Sequence, residues 1–337
     1  MSELQPNSSF RFSIDGSQNF PKFRQIIDSV NNAIAQGSLN CGDALPSVNQ
    51  VCSEYQLSRD TVFKAYSMLK EQGIIDSVPN KGYFVAEQLR KVFVFLDTFK
   101  AYKEVLYDSF VKNLPRNVIA DVNFHHYNVQ IFKKLIEESI GRYSKYVVMP
   151  FHDPKVADAL ALIPADKLLI IDWNLYRRDG NSVIYQDFGR TFYDGMAEVK
   201  HLFKKYQKVI FLYPEFTNHP TETVEYFTSF CIDNGLKHLV QTGSECLDVH
   251  AGEAYISVSD RMLGRILEQC RAKKLEPGVD VGIVSYNETP MKKFINKGIT
   301  VFSTDFEKMG KAAAEFVTAD KTVCVQVPSG MIIRESL

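Results

Sequence analysis

Two sets of residues in this chain have the types and spacing for recognition chemistry. In the first, Ser58-Arg59-Asp60-Thr61 combines a helix cap with hydroxyl and guanidinium groups that can reach base edges and phosphates, and Lys64 follows one turn later. Lys81-Gly82 adds a basic point where a glycine turn would carry a lysine to a phosphate or into a minor groove. The second set recurs just after apolar, strand-sized runs. It comprises Asp97, Phe99 and Tyr102; His125 and His126; His152 and Asp153; Asp172, Trp173 and Asn174; Asp187; Glu215; Ser259 and Asp260; Asn287 and Glu288. Carboxylates accept hydrogen bonds from hydroxyls and a flat ring covers the C–H face of a sugar, so this set suits a small polyol.

Each residue also has a plainer role. His125 and His126 read as loop histidines, and Asp153 before Pro154, like Asp260, could simply cap a helix. Asp172, Asp187 and His152 could be imagined as acid–base groups. No nucleophile elbow, glycine-rich phosphate loop or metal-ligand cluster accompanies them, so neither catalysis, a cofactor nor a metal is expected. The six cysteines form no C-x-x-C pair and read as reduced, mostly buried thiols.

The elements that must position the first set lie in residues 20–88, after a polar arm at 1–19. Phe23, Ile26, Ile27, Val30 and Ile34 form one helical stripe, started by Pro21 and stopped by Gly37. Ser47 caps a short helix to Tyr55, and Ser58 caps a longer one from Arg59 to Gln72. Ile74-Ile75 and Tyr83-Phe84-Val85 flank a Gly turn and read as a hairpin. Three helices and a hairpin make a winged helix-turn-helix, with Ser58 to Thr61 opening its recognition helix. Charge does not argue for a polyanionic partner. The whole chain carries −1, and through residue 91 nine lysines and arginines meet nine aspartates and glutamates.

A short linker, 89–91, leads to alternating strands and helices over 92–337. Strands are expected at Val92 to Leu96, Val118 to Phe124, Tyr146 to Met149, Leu168 to Ile171, Val183 to Asp187 and Val209 to Leu212. Further strands are expected around Val240 and at Ala254 to Ile256, Val281 to Val284 and Ile299 to Phe302. Helices are expected at Tyr102 to Leu114, Val129 to Gly141, Pro154 to Leu162 and Thr191 to Tyr206, with a helical stretch after each of the strands at Val209 to Leu212, Val240 and Ala254 to Ile256. Such alternation gives parallel sheets covered by helices, an α/β class, and the stretch is too long for one small sheet. Two lobes are expected: one at about 92–185 and 306–322, the other at about 190–303 and 323–337. Crossovers would fall near Val183 to Phe188, Thr304 to Phe306 and Lys321 to Val323. In open parallel sheets ligands bind at the carboxyl ends of strands, where the second set of residues lies. No apolar run approaches the ~20 residues a membrane span needs, and Met1 to Phe10 lacks the pattern of a signal peptide. A cytoplasmic location is expected.

The first stretch resembles the GntR family of regulators. The matching elements are Gly42-Asp43-Ala44-Leu45-Pro46-Ser47, Leu57-Ser58-Arg59-Asp60-Thr61-Val62-Phe63-Lys64-Ala65, Leu69, Gly73 and Lys81-Gly82-Tyr83-Phe84-Val85. The resemblance implies DNA contact by Arg59, Thr61 and the wing around Gly82. The full DNA-facing set is Ser47, Asn49, Ser58, Arg59, Asp60, Thr61, Lys64, Lys81 and Gly82. Two positions depart from the family: Asn49 and Phe63 stand where arginines are usual, which implies weaker binding per head or a different operator.

The second stretch resembles the effector domain of the LacI family and its periplasmic sugar-binding relatives. Val258-Ser259-Asp260-Arg261-Met262-Leu263-Gly264, Val281-Gly282-Ile283-Val284-Ser285-Tyr286-Asn287-Glu288-Thr289-Pro290, Ile299-Thr300-Val301, Met309-Gly310-Lys311-Ala312-Ala313 and the segment Val327 to Ser336 carry this likeness. It implies a two-lobed, periplasmic-binding-protein-like fold, with sugar contacts on Asp172, Ser259 and Asn287 and Phe99 as an aromatic wall. The full effector set is Phe99, Tyr102, His152, Asp153, Asp172, Trp173, Asp187, Glu215, Ser259, Asp260 and Asn287. Ser259 and Asn287 replace the family's usual Asn and Asp. Its ring-gripping Arg has no match among Glu215 to Tyr226, so an atypical effector or binding mode is expected. The combination resembles arabinose-responsive regulators. It implies a homodimer, joined through the effector domain, that binds operator DNA and responds to a pentose or deoxyhexose such as arabinose or fucose. A sugar-acting enzyme and an interaction protein that binds no DNA are the alternatives.

Overall fold

A computed structural model describes residues 10–15, 20–79, 81–86, 89–243, 247–319 and 321–337. Most of the polar arm, Asn80 of the wing, Glu87 and Gln88 before the linker, and Cys246 lie outside the described residues. The chain divides after Arg90 into two compact units.

In the first unit, α1 (Lys22–Ala35), α2 (Val48–Tyr55) and α3 (Arg59–Glu71) precede a hairpin of β1 (Ile75–Val78) and β2 (Gly82–Val85). The apolar stripe of α1 closes on α3, and Ile26, Val30, Val62, Ala65, Tyr66 and Leu69 are fully shielded. A capping box starts α2: Gln50 N–H donates to Ser47 Oγ, and Ser47 N–H donates to Gln50 Oε1. The hairpin pairs Val78 with Gly82, whose φ of +100° is a left-handed backbone that glycine adopts without strain. The polar arm expected at 1–19 is in part packed onto the domain, over residues 10–15. Phe12 is 5% exposed within the core of this unit; its N–H donates to the Tyr55 hydroxyl at 3.0 Å, and Ser13 N–H donates to Ser29 Oγ at 2.7 Å. Phe10, Phe12 and Ile14 alternate with Arg11, Ser13 and Asp15, a two-residue period that the polar composition of the surrounding arm conceals.

The second unit holds two sheets, each sandwiched between helices. In lobe one, β3 (Arg90–Leu96), β4 (Val118–Phe124), β5 (Lys145–Val148), β6 (Leu168–Asp172), β7 (Ser182–Tyr185) and β13 (Cys324–Gln326) lie in the order 4-3-5-6-7-13. Val92, Val94 and Leu96 of β3 face α4 (Ala101–Asn113) and α11 (Phe306–Thr318). Phe93 and Phe95 face α5 (Val129–Ser139) and α6 (Pro154–Ala161). Burial on both faces is why these strands read as unbroken apolar runs. In lobe two, β8 (Lys208–Leu212), β9 (His238–Gln241), β10 (Glu253–Ser257), β11 (Gly282–Tyr286), β12 (Thr300–Thr304) and β14 (Ser329–Ile332) lie in the order 9-8-10-11-12-14, with β14 antiparallel to β12. Helices α7 (Arg190–Glu198), α8 (Lys200–Phe203) and α9 (Glu222–Asp233) cover one face, and α10 (Asp260–Lys273) covers the other. No described helix is long and apolar enough to cross a membrane.

The chain passes between lobes after β7, after β12 and between β13 and β14. The third crossing corrects the expected boundary at 321–323. Cys324–Gln326 pairs in parallel with β7 in lobe one, and the chain crosses at Val327-Pro328. All three residues of β13 are exposed, so no burial period marked that strand in the sequence. The helix expected over 191–206 breaks at Val199 into α7 and α8, and among the described residues no helix follows β9. The five described cysteines form no disulfide, but only Cys231 and Cys270 are buried, fewer than expected.

Helices α4 and α11 pack backbone to backbone at Gly310, where an added Cβ would lie 2.3 Å from the Leu106 carbonyl oxygen and 2.9 Å from Phe110 N. Neither atom can move without shifting α4. Gly310→Ala should therefore destabilise the second unit by about 1–3 kcal/mol, despite the better helix propensity of alanine. Urea denaturation checks this, and an unchanged midpoint would refute the packing.

Candidate functional site

The first unit presents its polar set around the starts of α2 and α3. Arg59 and Asp60 are exposed in the first turn of α3, Asn49 is exposed in α2, and Lys81 and Gly82 are exposed on the wing. The hydroxyls of Ser47 and Ser58 serve as helix caps, and Ser58 Oγ also lies 2.8 Å from Thr61 Oγ1. Lys64 is exposed but its ammonium sits 4.3 Å from the Phe23 ring centroid, which ties its stem to α1. Phe63 is 55% exposed, one turn along from Arg59 on the same face of α3.

In the second unit a cavity of about 360 Å³ opens at the carboxyl ends of both sheets. Tyr102, Asp172, Trp173, Ser259, Asp260 and Asn287, all expected from the sequence, line it. Five expected residues do not. The Asp153 carboxylate caps α6 by accepting from Lys155 N–H, and Asp187 accepts from Gly189 N–H at 2.7 Å. Phe99, half-exposed, packs edge-on against Tyr107 and Phe124, and His152 and Glu215 are exposed outside the lining. Asp97, a strand-end candidate left out of the effector set, also lines it, as do Lys100, Tyr127, Gln186, Phe216, His219, Arg261 and Tyr286, which the sequence reading did not single out. Lys100 and Arg261 fit the strand-end rule and were within reach of it. His219 lies deep in the loop after β8, where no periodicity points.

The floor of the cavity is a polar network. Lys103, fully buried, pairs with Asp97, which also accepts from the Tyr127 hydroxyl. Asp172 accepts from Gln186 Nε2 at 2.5 Å. Burial raises the Asp172 carboxyl above its ordinary range, opposed by the Lys103 charge and by that hydrogen bond. Burial also draws Lys103 down to about 8, against the pull of Asp172. Asp172 and Asn287 hold φ of +76° and +63°, strained for residues with a Cβ at about 1–3 kcal/mol each, and both line the cavity. Lys292, 2% exposed, donates to the carbonyls of Tyr286 and Asn287 and pairs with Asp260 at 2.8 Å, which pins the start of α10 to the end of β11. The Asn287 side-chain oxygen is enclosed without a donor.

The Gln186 amide reaches further. Thr304 Oγ1 donates to Gln186 Oε1 at 2.6 Å and lies 2.7 Å from Ser329 Oγ. Gln186, Thr304 and Ser329 each stand at one of the three crossings between lobes. A chain of hydrogen bonds thus joins the carboxylate on the cavity floor to every crossing.

Comparison with known proteins fits both units. Residues 22–85 match the family model described as bacterial regulatory proteins, gntR family, and residues 200–337 match a periplasmic binding protein-like domain. An HTH-type transcriptional regulator of Bacillus subtilis, YhcF, is 31% identical over 94 residues, covering 28% of this chain and 75% of that one. This chain belongs to the GntR family of regulators. The Escherichia coli mannosyl-D-glycerate transport/metabolism system repressor MngR is 35% identical over 102 residues, 30% of this chain and 42% of the repressor, so the chain spans under half the length of that relative. A LacI family transcriptional regulator from Lactobacillus casei, solved with bound glucose, superposes with a TM-score of 0.61 at 12% identity over 73% of this chain and all of that one. That likeness shows the LacI-type fold of the second unit. These relatives are regulators, not enzymes.

In this GntR-family chain a buried histidine of lobe one also stores a pH dependence. His125, fully buried among the Phe95, Phe132 and Phe151 rings, takes the Tyr127 N–H on Nδ1 and faces the Met149 carbonyl with Nε2 at 2.9 Å. That arrangement requires the neutral ring, and burial pushes its pKa down to about 4. The folded value lies below the unfolded one, so the unfolded chain binds the extra proton between about pH 6.5 and 4. Stability is full above that window and falls through it by about 3 kcal/mol. Urea midpoints at pH 7 and pH 4.5 should differ more for the wild type than for His125→Gln; equal differences would contradict this.

Proposed function

We propose that the protein is a ligand-controlled transcription regulator, a repressor, that binds operator DNA as a dimer and is released or retuned when a small sugar enters the cavity. The observation that carries this is the placement of a carboxylate, an amide and the sole tryptophan at the carboxyl ends of two facing sheets, on a chain with a winged-helix head. Asp172 and Asn287 would bond hydroxyls and Trp173 would cover a sugar face. A pentose or deoxyhexose, arabinose or fucose, is the first candidate, and the site of action is the cytoplasm. The MngR name and the glucose-bound LacI structure support a carbohydrate effector.

Arg59, Thr61, Lys64 and the wing at Lys81-Gly82 would contact DNA, with Ser47, Asn49, Ser58 and Asp60 around them. One neutral head with few free cations binds weakly. Useful affinity then requires two heads on half-sites about 34 Å apart, and a small rotation between subunits would break simultaneous contact. Phe63, exposed beside Arg59, would meet a thymine methyl.

On an operator duplex selected from random DNA, Arg59→Ala should cost about 1–3 kcal/mol of binding. Phe63→Ala should weaken specific binding while leaving the melting temperature unchanged. Unaltered operator affinity in both variants would displace the recognition helix. A thermal-shift screen of monosaccharides and their phosphates tests the cavity. A ligand at 100 times its Kd should stabilise by about 2.7 kcal/mol, and no shift across the screen would remove the sugar reading.

A further inference from the structure

We propose that the effector carries an anionic group, a phosphate or a carboxylate, on a hydroxylated frame, and that Lys100 and Arg261 grip that group from opposite lobes. This rests on the reading of the cavity as a sugar site and narrows its ligand class.

The charges that line the cavity do not pair off evenly. Three carboxylates line the cavity, and each is already engaged: Asp97 by Lys103, Asp260 by Lys292 and Asp172 by the Gln186 amide. Two cations also line it, Lys100 in the loop after β3 and Arg261 in the first turn of α10. Among the described residues neither has a carboxylate within 4.0 Å. The Arg261 guanidinium lies 4.6 Å from the Phe216 ring centroid, which orders the side chain while leaving its donors unspent. The Lys100 charge is felt at His219 on the facing lobe, where it adds to burial in holding the imidazole neutral. Arg261 also stands at the positive end of a fourteen-residue helix, and the acid beside it, Asp260, is neutralised by Lys292. A neutral sugar enclosed here would leave two cations partly desolvated and unpaired, which is costly. A phosphate or carboxylate offers both the planar acceptor edge an arginine prefers and a partner for the lysine.

Trp173 is the only tryptophan and lines the cavity, so its fluorescence reports binding to the full-length protein. The probes are glucose, glucose 6-phosphate and glucuronate; arabinose and arabinose 5-phosphate; and inorganic phosphate alone. We expect at least one anionic member to bind ten or more times tighter than its neutral parent and than inorganic phosphate. The phosphate and uronate arms separate the two anion types. Arg261→Ala and Lys100→Ala should each weaken that member at least tenfold, Arg261→Lys should recover part of the loss, and Lys134→Ala on α5 should change nothing. Neutral parents binding as tightly as their anionic partners would overturn the proposal while leaving the sugar reading intact. Inorganic phosphate binding as tightly as any sugar phosphate would overturn the hydroxylated frame. Silence across all probes, from protein that still binds operator, would overturn both readings.

Discussion

The hydrogen-bonded chain Asp172–Gln186–Thr304–Ser329 is the constraint on which the second unit turns. Its members lie on the cavity floor and at the three crossings between lobes. Gln186 and Thr304 are buried, so water cannot replace a lost partner cheaply. Under the proposed function, a ligand hydroxyl that takes up Asp172 would change what the carboxylate asks of the Gln186 amide. That change would be presented at once to all three crossings between the lobes. No other described network touches the ligand cavity and every crossing together.

The rest of the cavity reads as support for that carboxylate. Lys103 is buried behind Asp97 and its charge opposes protonation of Asp172, so an acceptor survives in a setting that burial would otherwise neutralise. The left-handed backbones of Asp172 and Asn287 aim two polar side chains at one space from the ends of two different sheets. Strain of this kind persists where the surroundings over-determine it, and here the flanking strands are fixed on both faces by apolar cores. Two sheets with strained strand ends are thus joined by only three crossings.

The head and the strand order were legible because burial leaves a period. The stripe of α1, the caps at Ser47 and Ser58 and the apolar runs of β3, β6 and β8 each state their element directly. Trp173, Asp172 and Asn287 were legible as cavity-lining residues because parallel sheets open their clefts at strand ends. What escaped had no such signature. β13 is three exposed residues, Phe12 docks from within a polar arm, and Gln186 joins Asp172 to Thr304, a residue 118 positions away. Phe99, Asp153 and Asp187 show the opposite error. They stand after strands as the rule demands, but ring packing, a helix cap and a turn engage them elsewhere.

The central claim is that cavity occupancy reaches the operator through the Gln186 side chain. The direct measurement is the operator Kd of the full-length protein with and without a saturating concentration of the best-binding member of the sugar panel, for the wild type and for Gln186→Leu. The account predicts a ratio of about 5–150 for the wild type, as expected for allosteric coupling. In the variant the ratio should collapse toward one, although sugar and operator each still bind alone. A Gln186→Leu protein that keeps both bindings and the full wild-type ratio would contradict it.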